Sequence, residues 1–306
     1  MRVSFVISTY NAPDMLRACL NSLSRQTVAP SLVVVADDGS GVETRAVIEQ
    51  VRRDSGLPIV HIWHPDDGFR LAEIRNKGIA QCVGKSDYVI SLDGDLVLHP
   101  KFIEDHIFGY RDDRWVQGTR VKMDAKLSSR FIDGGVCRWP WLTTRGVEKR
   151  FKVLRSRALH AVTSRTRIYS RRPTGCHQAF PIELLLKCNG FNQDMTGWGA
   201  EDGELSARLA NAGVPRIDYR FVALALHLFH PERSRDGVSV NNAIRDESLR
   251  SGAKRCENGL DRWLDDPDQW LYDNQFSYQT PAFDPAEPEP IPDFDFDQST
   301  PDDFDL

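Results

Sequence analysis

The 306-residue sequence predicts an α/β protein built on a parallel sheet. Short apolar runs alternate with amphipathic helical stretches through the first hundred residues. The runs are almost continuously apolar, as in Leu32–Ala36, which is typical of parallel strands buried on both faces. Several runs end in polar residues, where parallel sheets bind their ligands. Both observations place a candidate site at the carboxyl ends of the strands.

The first half contains four predicted strands and three predicted helices. Asn11 is a plausible N-cap for the first helix, because asparagine is favoured at that position. The strands are predicted at Arg2–Ser8, Leu32–Ala36, Pro58–Trp63 and Tyr88–Leu92. The helices are predicted at Pro13–Arg25, from the turn Asp37–Ser40 through Arg53, and at Leu71–Cys82.

The second half is less regular. Arg145–Tyr169 contains basic stretches compatible with a helix. The clearer elements are a strand over Trp115–Val121, helices over Pro181–Lys187 and Glu201–Ala212, and a strand over Phe221–His227.

Composition favours a globular protein of the cytoplasm. Hydrophobic residues make up 41% of the chain and charged residues 27%, which is ordinary for such proteins. No apolar run is long enough to span a bilayer, and the start does not resemble a signal peptide. The six cysteines form no CxxC pair, so we expect reduced thiols rather than a zinc site or a disulfide framework.

Charge divides the chain into two opposed parts. The formal net charge is −5, but residues 281–306 hold nine acidic and no basic residues, which leaves +4 for the rest. Arg145–Arg172 concentrates ten basic residues against one acidic residue. This segment is either a solvated helix face, a surface for an anionic membrane, or a site for the phosphates of a lipid-linked acceptor.

The acidic end of the chain is too poor in apolar residues to form a core. We therefore predict that it is disordered. It either folds back on the basic segment or acts as a solubilising end.

The nonapeptide Gly197–Leu205, with the sequence GWGAEDGEL, is the most informative stretch. Its glycines permit a tight turn that brings Trp198 to a ligand. Glu201 and Asp202 lie at the start of the predicted helix, where the dipole would favour their ionised forms. An aromatic face beside a carboxylate suits a sugar hydroxyl that must lose a proton. The alternative interpretation is a helix N-cap with a packed tryptophan.

Two further motifs suit a divalent cation. Asp93-Gly94-Asp95 follows a buried strand, although such a tripeptide also makes a good turn. His227-Leu228-Phe229-His230 places two imidazoles three residues apart, a spacing that is also found in purely structural pairs. Carboxylate and imidazole ligands together suit Mn²⁺.

A third group of residues suits a nucleotide. Asp37 and Asp38 end the second strand, either as polar turn residues or as acceptors for a nucleobase N–H. Tyr10 could stack on the base, and Arg70 could form a forked contact with a phosphate.

Five motifs occur in the order seen in family 2 glycosyltransferases, and together they resemble that family from Val3 to about His230. The Gly197–Leu205 motif also resembles the galactosyltransferase-type C-terminal module of β-1,4-galactosyltransferases and chondroitin-polymerase-like enzymes. The other four motifs are Ser8–Asn11, Asp37–Ser40, Arg75–Gly78 and Asp93–Asp95.

The resemblance implies a GT-A fold and an inverting glycosyltransferase that uses a nucleotide sugar and Mn²⁺ or Mg²⁺. It implies a Rossmann-like, mostly parallel half at 1–110 that binds the nucleotide sugar. An acceptor-binding half at 111–265 would contain the galactosyltransferase-type module at about 170–235, and an acidic, proline-rich tail would occupy 266–306.

The resemblance also assigns roles to donor-site residues. Tyr10 and Asp38, with Thr9 beside them, resemble the uracil contacts. Arg70 resembles the basic residue near the diphosphate, and Asp93 a ribose or metal contact.

The remaining roles concern the metal and the acceptor. Asp95 resembles the main metal ligand and His230 the metal-binding histidine, while His227 stands where galactosyltransferases have a sulfur ligand. On the acceptor side, Trp198 and Glu201 resemble the sugar-binding pair, and Asp202 resembles the catalytic base. Thr174–His177 departs from the Gly-x-Asn of many relatives, so donor identity is not carried over.

The expected partners are a nucleotide sugar, most simply a UDP-sugar, and a glycan or lipid-linked saccharide acceptor. No nucleic acid is expected, and the enzyme would lie in the cytoplasm, peripheral to the inner face of the cytoplasmic membrane through 145–172. Two rival classes stay open: a non-catalytic nucleotide- or glycan-binding module, and a nucleotidyltransferase. The second would be expected to carry a glycine-rich phosphate loop with a lysine near the N-terminus, where this chain has Ser8–Asn11.

Overall fold

A computed structural model describes residues 1–133, 138–169, 173–231 and 238–273. Its strands are β1 (Val3–Thr9), β2 (Leu32–Asp37), β3 (Ile59–Trp63), β4 (Tyr88–Asp93), β5 (Leu96–Leu98), β6 (Trp115–Gln117), β7 (Arg120–Lys122), β8 (Arg165–Arg167), β9 (His177–Pro181), β10 (Arg216–Asp218) and β11 (Ala225–His227). Its α-helices are α1 (Pro13–Leu23), α2 (Val42–Ser55), α3 (Leu71–Ala80), α4 (Phe102–Gly109), α5 (Ala125–Asp133), α6 (Arg157–Thr163), α7 (Ile182–Cys188), α8 (Glu201–Asn211) and α9 (Val238–Ser251). Short 3-10 helices cover Arg150–Val153, Leu260–Trp263 and Pro267–Trp270.

The main sheet has the order β3-β2-β1-β4-β9-β6-β10-β8. Strands β3, β2, β1 and β4 run parallel to one another. Strand β9 comes from far along the chain and pairs antiparallel with both β4 and β6. The predicted α/β class with a mostly parallel sheet is therefore confirmed.

Burial on both faces explains the continuous apolar runs. Successive residues of a strand point to opposite faces. Phe5 and Ile7 of β1 pack in the core that contains Leu16 of α1, whereas Val6 packs in a second core with Ile74 of α3. Helices therefore cover both faces, and both faces of β1 are mostly apolar.

Two predicted strands are shorter than the sequence suggested. Trp115–Val121 divides into β6, in the main sheet, and β7, in a second sheet of order β5-β11-β7. The break falls at Gly118, where a Cβ atom would overlap the His177 ring. Of Phe221–His227 only β11 is a strand, because Phe221 and Ala223 have φ angles of 61° and 46°.

The prediction that Asn11 caps the first helix is wrong. The N-cap of α1 is Ala12, without a side-chain hydrogen bond. Asn11 Oδ1 instead accepts from the backbone N–H of Gly41, at 3.1 Å, at the start of α2. Its own N–H donates to Ser40 Oγ at 2.9 Å, so Asn11 ties the end of β1 to the turn after β2.

The basic stretch 145–169 is only partly helical, with α6 and one 3-10 turn followed by β8.

Residues 266–273, which composition placed in the tail, pack on the sheet edge: Leu271 bridges to Ile62 and Tyr272 stacks on His61 at 4.7 Å. Residues 274–306, including the acidic end, lie outside the described residues, as does Cys137. The other five cysteines are buried and free. Within the described ranges, no helix is both long and apolar enough to cross a bilayer.

Candidate active site

Three of the predicted motifs meet at one end of the main sheet. Strand β1 lies between β2 and β4, with Thr9 paired to Asp37 and Ser8 paired to Asp93. Because these strands are parallel, their carboxyl ends lie side by side. The ends of β1, β2 and β4 thus bring the nucleotide motifs next to Asp93-Gly94-Asp95.

The guanidinium of Arg75 joins this edge to the GWGAEDGEL segment. Its Nη2 donates to Asp93 Oδ1 at 2.9 Å, and its Nη1 lies 3.3 Å from Glu201 Oε1 and 3.2 Å from Asp202 Oδ1. Its Nε donates to Ser8 Oγ at 3.0 Å. The Arg75 side chain is only 1% exposed, so these contacts are largely shielded from water. One cation therefore connects carboxylates that lie more than a hundred residues apart.

Burial changes the protonation of this cluster. It raises the pKa of Glu201, and burial together with the Glu201 charge raises the pKa of Asp202 well above its usual range, while Arg75 opposes both shifts. Burial likewise raises the pKa of Asp93. The expectation that the helix dipole favours the ionised forms is therefore outweighed here by desolvation. A raised pKa suits a group that must accept a proton near neutral pH.

Gly175 lies directly against the Asp202 carboxylate. A Cβ atom at this position would overlap both carboxylate oxygens. Gly175, which keeps the glycine of Gly-x-Asn, therefore provides space for the Asp202 side chain, whereas the departure from that pattern lies at His177.

A second cluster groups Asp95 with His227, the last residue of β11, and with His230, which follows that strand. His230 Nε2 lies 3.0 Å and His227 Nε2 3.3 Å from Asp95 Oδ2. One ligand atom from each of the three residues can be chosen so that all lie within 4.8 Å of one another. Burial would raise the pKa of Asp95, but hydrogen bonds from both histidines and their charges hold it below its usual range.

The donor set of this cluster fits a divalent cation. Asp95 Oδ1 is buried and has no hydrogen-bond partner within the described part of the chain. An orphaned carboxylate oxygen beside two imidazoles is a plausible ligand set for Mn²⁺, which accepts both oxygen and nitrogen. The structure thus brings together the predicted metal residues.

The predicted nucleotide residues lie along the ends of β1 and β2. His64 Nε2 contacts Asp38 Oδ1 at 2.6 Å, and Lys77 Nζ contacts His64 Nδ1 at 3.0 Å. Because the lysine ammonium can only donate to Nδ1, the Nε2–H of His64 donates to Asp38. Burial lowers the pKa of Lys77 to about 8. Asp38 is therefore held in place by a buried chain of polar contacts.

The other donor candidates contact their own surroundings. Tyr10 Oη donates to Asp66 Oδ2 at 2.7 Å, and Thr9 is buried with an orphaned Oγ1. The Arg70 backbone N–H donates to Asp38 Oδ2 at 3.1 Å, whereas its Nη2 donates to the Pro65 carbonyl. Arg70 thus borders the Asp38 region, but its guanidinium is engaged by its own loop.

The Trp198 turn projects from the start of α8. Gly197, Gly199 and Ala200 have φ angles of 77°, 95° and 71°, so the tight turn is present. Asn241 of α9 donates to the Gly199 carbonyl at 2.9 Å and fixes it. The Trp198 side chain is 40% exposed. Ala200 is the N-cap and no side chain caps the helix, so the simple cap interpretation fails.

Sequence reasoning missed Arg75, His64 and Lys77 as site residues. Arg75 and Lys77 belong to a motif that was noted but given no role. The signal that could have revealed them is that both cations lie in one helix beside the buried, apolar residues Ala72, Ile74 and Ile79. His64 gave no signal, because only the fold brings it to Asp38.

The chain is similar to known protein families, proteins and structures. The model of the family described as Glycosyl transferase family 2 matches residues 4–174, and one described as "N-terminal domain of galactosyltransferase" matches residues 157–231. Validoxylamine A glucosyltransferase of Streptomyces hygroscopicus subsp. limoneus is 29% identical over 224 residues, covering 70% of this chain and 49% of that protein. Chondroitin synthase of Escherichia coli is 27% identical over 229 residues, covering 69% of this chain and 32% of that protein.

Among solved structures, GalNAc-T7 with UDP, GalNAc and Mn²⁺ matches with a TM-score of 0.56 at 15% identity, covering 81% of this chain and 48% of that one. At this identity the match speaks for the fold alone. The chain spans about half of the validoxylamine A glucosyltransferase and about a third of the chondroitin synthase.

Proposed function

Because the chain belongs to glycosyl transferase family 2, we propose that it transfers a sugar from a nucleotide donor, most simply a UDP-sugar, to a hydroxyl of a glycan or lipid-linked saccharide. The observation that carries the proposal is the Arg75 cluster. It holds Asp202, a carboxylate with a raised pKa, at the same edge of the fold as the Asp95 metal candidate. A base beside a metal candidate is what a metal-dependent transfer requires.

The proposed reaction is a single in-line displacement with inversion at the anomeric carbon. Asp202 takes the proton of the acceptor hydroxyl as its oxygen attacks, and the leaving group is the nucleoside diphosphate. Glu201 grips the acceptor sugar, and the exposed ring of Trp198 gives it an apolar face. Asp202 is ionised before the reaction, so the rate should rise with pH through its raised pKa.

Asp95, His227 and His230 would hold the Mn²⁺ or Mg²⁺. When bound, the ion supplies positive charge against the charge that develops on the departing diphosphate. The nearby Asp93 belongs to the donor site in this proposal, together with Arg75.

The nucleotide would lie along the ends of β1 and β2. Asp38, oriented by His64, accepts from the base, and Tyr10 offers its ring for stacking, with Thr9 beside it. Arg70 would contact the diphosphate only after its guanidinium leaves the Pro65 carbonyl. The relatives named chondroitin synthase and glucosyltransferase support a role in polysaccharide or glycoconjugate synthesis. We also propose that the protein lies in the cytoplasm and contacts the inner face of the cytoplasmic membrane through residues 145–172.

Incubation with UDP-sugars and Mn²⁺, with and without a chelator, tests the proposal against its rivals. Slow release of UDP that stops when EDTA removes the metal would support sugar transfer. Release of pyrophosphate would instead indicate a nucleotidyltransferase. Donor binding without either product, over a panel of nucleotide sugars, would indicate a non-catalytic module and contradict the proposal.

A further inference from the structure

The segment of residues 141–152 exposes both aromatic and basic side chains. Trp141 is 62% exposed and Phe151 76%, which makes them two of the more exposed large apolar side chains. Arg145, Lys149 and Lys152 of the same segment are exposed as well. Large aromatic side chains are normally packed, so their exposure within a basic stretch indicates a surface that meets a partner.

The cations of this segment differ from Arg155 and Arg157, which follow it. Arg155 Nε and Arg157 Nη2 donate to Asp105 Oδ2 at 2.8 Å and to Glu104 Oε1 at 2.9 Å. By contrast, no ion pair is found among the described residues for the four cations that lie within 141–152, namely Arg145, Lys149, Arg150 and Lys152. We therefore place the contact in the first part of the predicted region 145–172, extended back to Trp141.

Backbone contacts hold the segment next to the candidate metal site. Val147 bridges to Met123, and the Glu148 N–H donates to the Lys122 carbonyl at 2.9 Å. Lys122 is paired with His227 across β7 and β11. Two strand spacings, roughly 10 Å, therefore separate this backbone from that of His227. Beneath it, Val147 packs in the same core as Leu226 and Leu228.

We propose that residues 141–152 dock the protein on an anionic lipid bilayer. Trp141 and Phe151 enter the headgroup region, where aromatic side chains are favoured, and the four cations lie over the lipid phosphates. Stable anchoring needs both an apolar and an electrostatic contribution, and this segment supplies both. The exposed phenylalanine favours a bilayer over a soluble polyanion, because a polyanion would need only the cations.

The position of the surface gives it a consequence for the acceptor. A bilayer under residues 141–152 would lie on the side of the fold that carries β11 and its histidines. A lipid-linked saccharide held in that bilayer would have its sugar near the candidate site. The docking rests on and deepens the membrane contact of the proposed function, but vesicle binding and sugar transfer are measured separately, so that the failure of one is distinguishable from the failure of the other.

The test is co-sedimentation of the full chain with phosphatidylcholine vesicles, with and without phosphatidylglycerol. We expect binding only to the anionic vesicles, weakening as salt rises. The variant Lys149→Ala/Arg150→Ala/Lys152→Ala should bind on the order of 100-fold more weakly, since each basic residue at such a surface contributes a factor of about five. The control Arg53→Ala/Lys254→Ala/Arg262→Ala removes equal charge elsewhere and should bind like the unchanged chain.

A variant with unchanged charge distinguishes binding to a bilayer from binding to other anions. Trp141→Ser/Phe151→Ser keeps every cation and should weaken vesicle binding about tenfold, as expected from loss of apolar burial. If it binds like the unchanged chain, the surface recognises a soluble polyanion and the proposal is wrong. Equal binding to both vesicle types, or no effect of the triple substitution, would also overturn it. Matching thermal unfolding midpoints establish that all variants are folded.

Discussion

A single residue, Arg75, governs the electrostatics of the candidate site. Its guanidinium contacts Asp93, Glu201 and Asp202, which otherwise would stand as buried like charges. Burial of that cation would lower its pKa, but the three carboxylates raise it, so Arg75 stays protonated. The ionised form of the proposed base thus depends on a residue of α3 that does not itself accept the proton.

Replacing Arg75 with methionine should therefore cost stability. Breaking a buried ion pair on one side leaves uncompensated charge and costs about 3–5 kcal/mol in the free energy of unfolding. Urea unfolding at neutral pH measures this, and the loss should shrink at acidic pH as the carboxylates become protonated. Arg250→Met, on an exposed ion pair with Glu247, should change stability by less than about 1 kcal/mol. An equally small effect for Arg75→Met would contradict this account of the cluster.

Gly175 controls the position of Asp202 sterically. The change Gly175→Ala places a methyl group where the Asp202 carboxylate lies. We expect kcat to fall about 100-fold, because small displacements of a reacting group can cost that much, while donor affinity stays unchanged. Steady-state kinetics with titration of the nucleotide sugar would separate the two. Gly84→Ala, which strains a turn with open space around it, should lower stability but leave kcat intact.

At the scale of elements, the close approach of α3 to the sheet places Arg75 and Lys77. Gly78 makes this approach possible, because a Cβ atom there would lie 2.9 Å from Val6 Cγ1 of β1. A bulkier residue would push the helix away from the sheet and with it both cations. The position of the site thus depends on a packing contact outside it.

The substitution Gly78→Ala tests this contact. In a solvent-exposed helix it would stabilise by about 1 kcal/mol, but overpacking here should give a net loss of about 1–3 kcal/mol. Chemical denaturation of Gly78→Ala, Val6→Ala and the double variant measures the coupling, and the double variant should be more stable than the two single effects predict. A stabilising Gly78→Ala, or strictly additive effects, would rule out the contact.

At the scale of the molecule, one sheet runs through both predicted halves. Strand β9, from the second half, pairs with β4 of the first half from Tyr88↔Pro181 to Leu92↔His177. Val89 and Ile90 are fully buried at this junction. The predicted halves on either side of residue 110 therefore share one sheet, and neither half forms a complete sheet of its own.

A fragment of residues 1–110 should accordingly fail to fold alone. Without β9 the apolar edge of β4 is exposed, which favours aggregation. We expect residues 1–273 to be soluble and to unfold cooperatively by circular dichroism, and the shorter fragment to be insoluble or to unfold without a cooperative transition. A soluble, cooperatively unfolding fragment would contradict the single-sheet account.

Local patterns predicted much of the first half. Strands β1 to β4 and helix α3 begin and end within a few residues of their predicted limits, because apolar periodicity and turn residues act locally. The insertion of antiparallel β9 could not be predicted in this way, since its partners lie far away in sequence. The division of Trp115–Val121 was hidden for the same reason: only the His177 ring explains why Gly118 is needed.

The predictions for the site show the same limit. The residues that carry recognisable chemistry, Asp95 with His227 and His230, were predicted from motifs and do lie together. Arg75 and His64 were missed because each acts through another residue, which sequence spacing does not reveal. The pKa of Asp202 was misjudged, since the dipole argument took no account of burial.

The most direct test of the central claim is the turnover of Asp202→Asn measured alongside its affinity for the nucleotide sugar. A general base contributes about 10²- to 10⁴-fold, so we expect a loss of at least about 100-fold in kcat with donor affinity nearly unchanged. Asp112→Asn, at an exposed position, is the matched control and should retain full activity. Near-normal turnover by Asp202→Asn, with Asp112→Asn equally active, would contradict the assignment of Asp202 as the base.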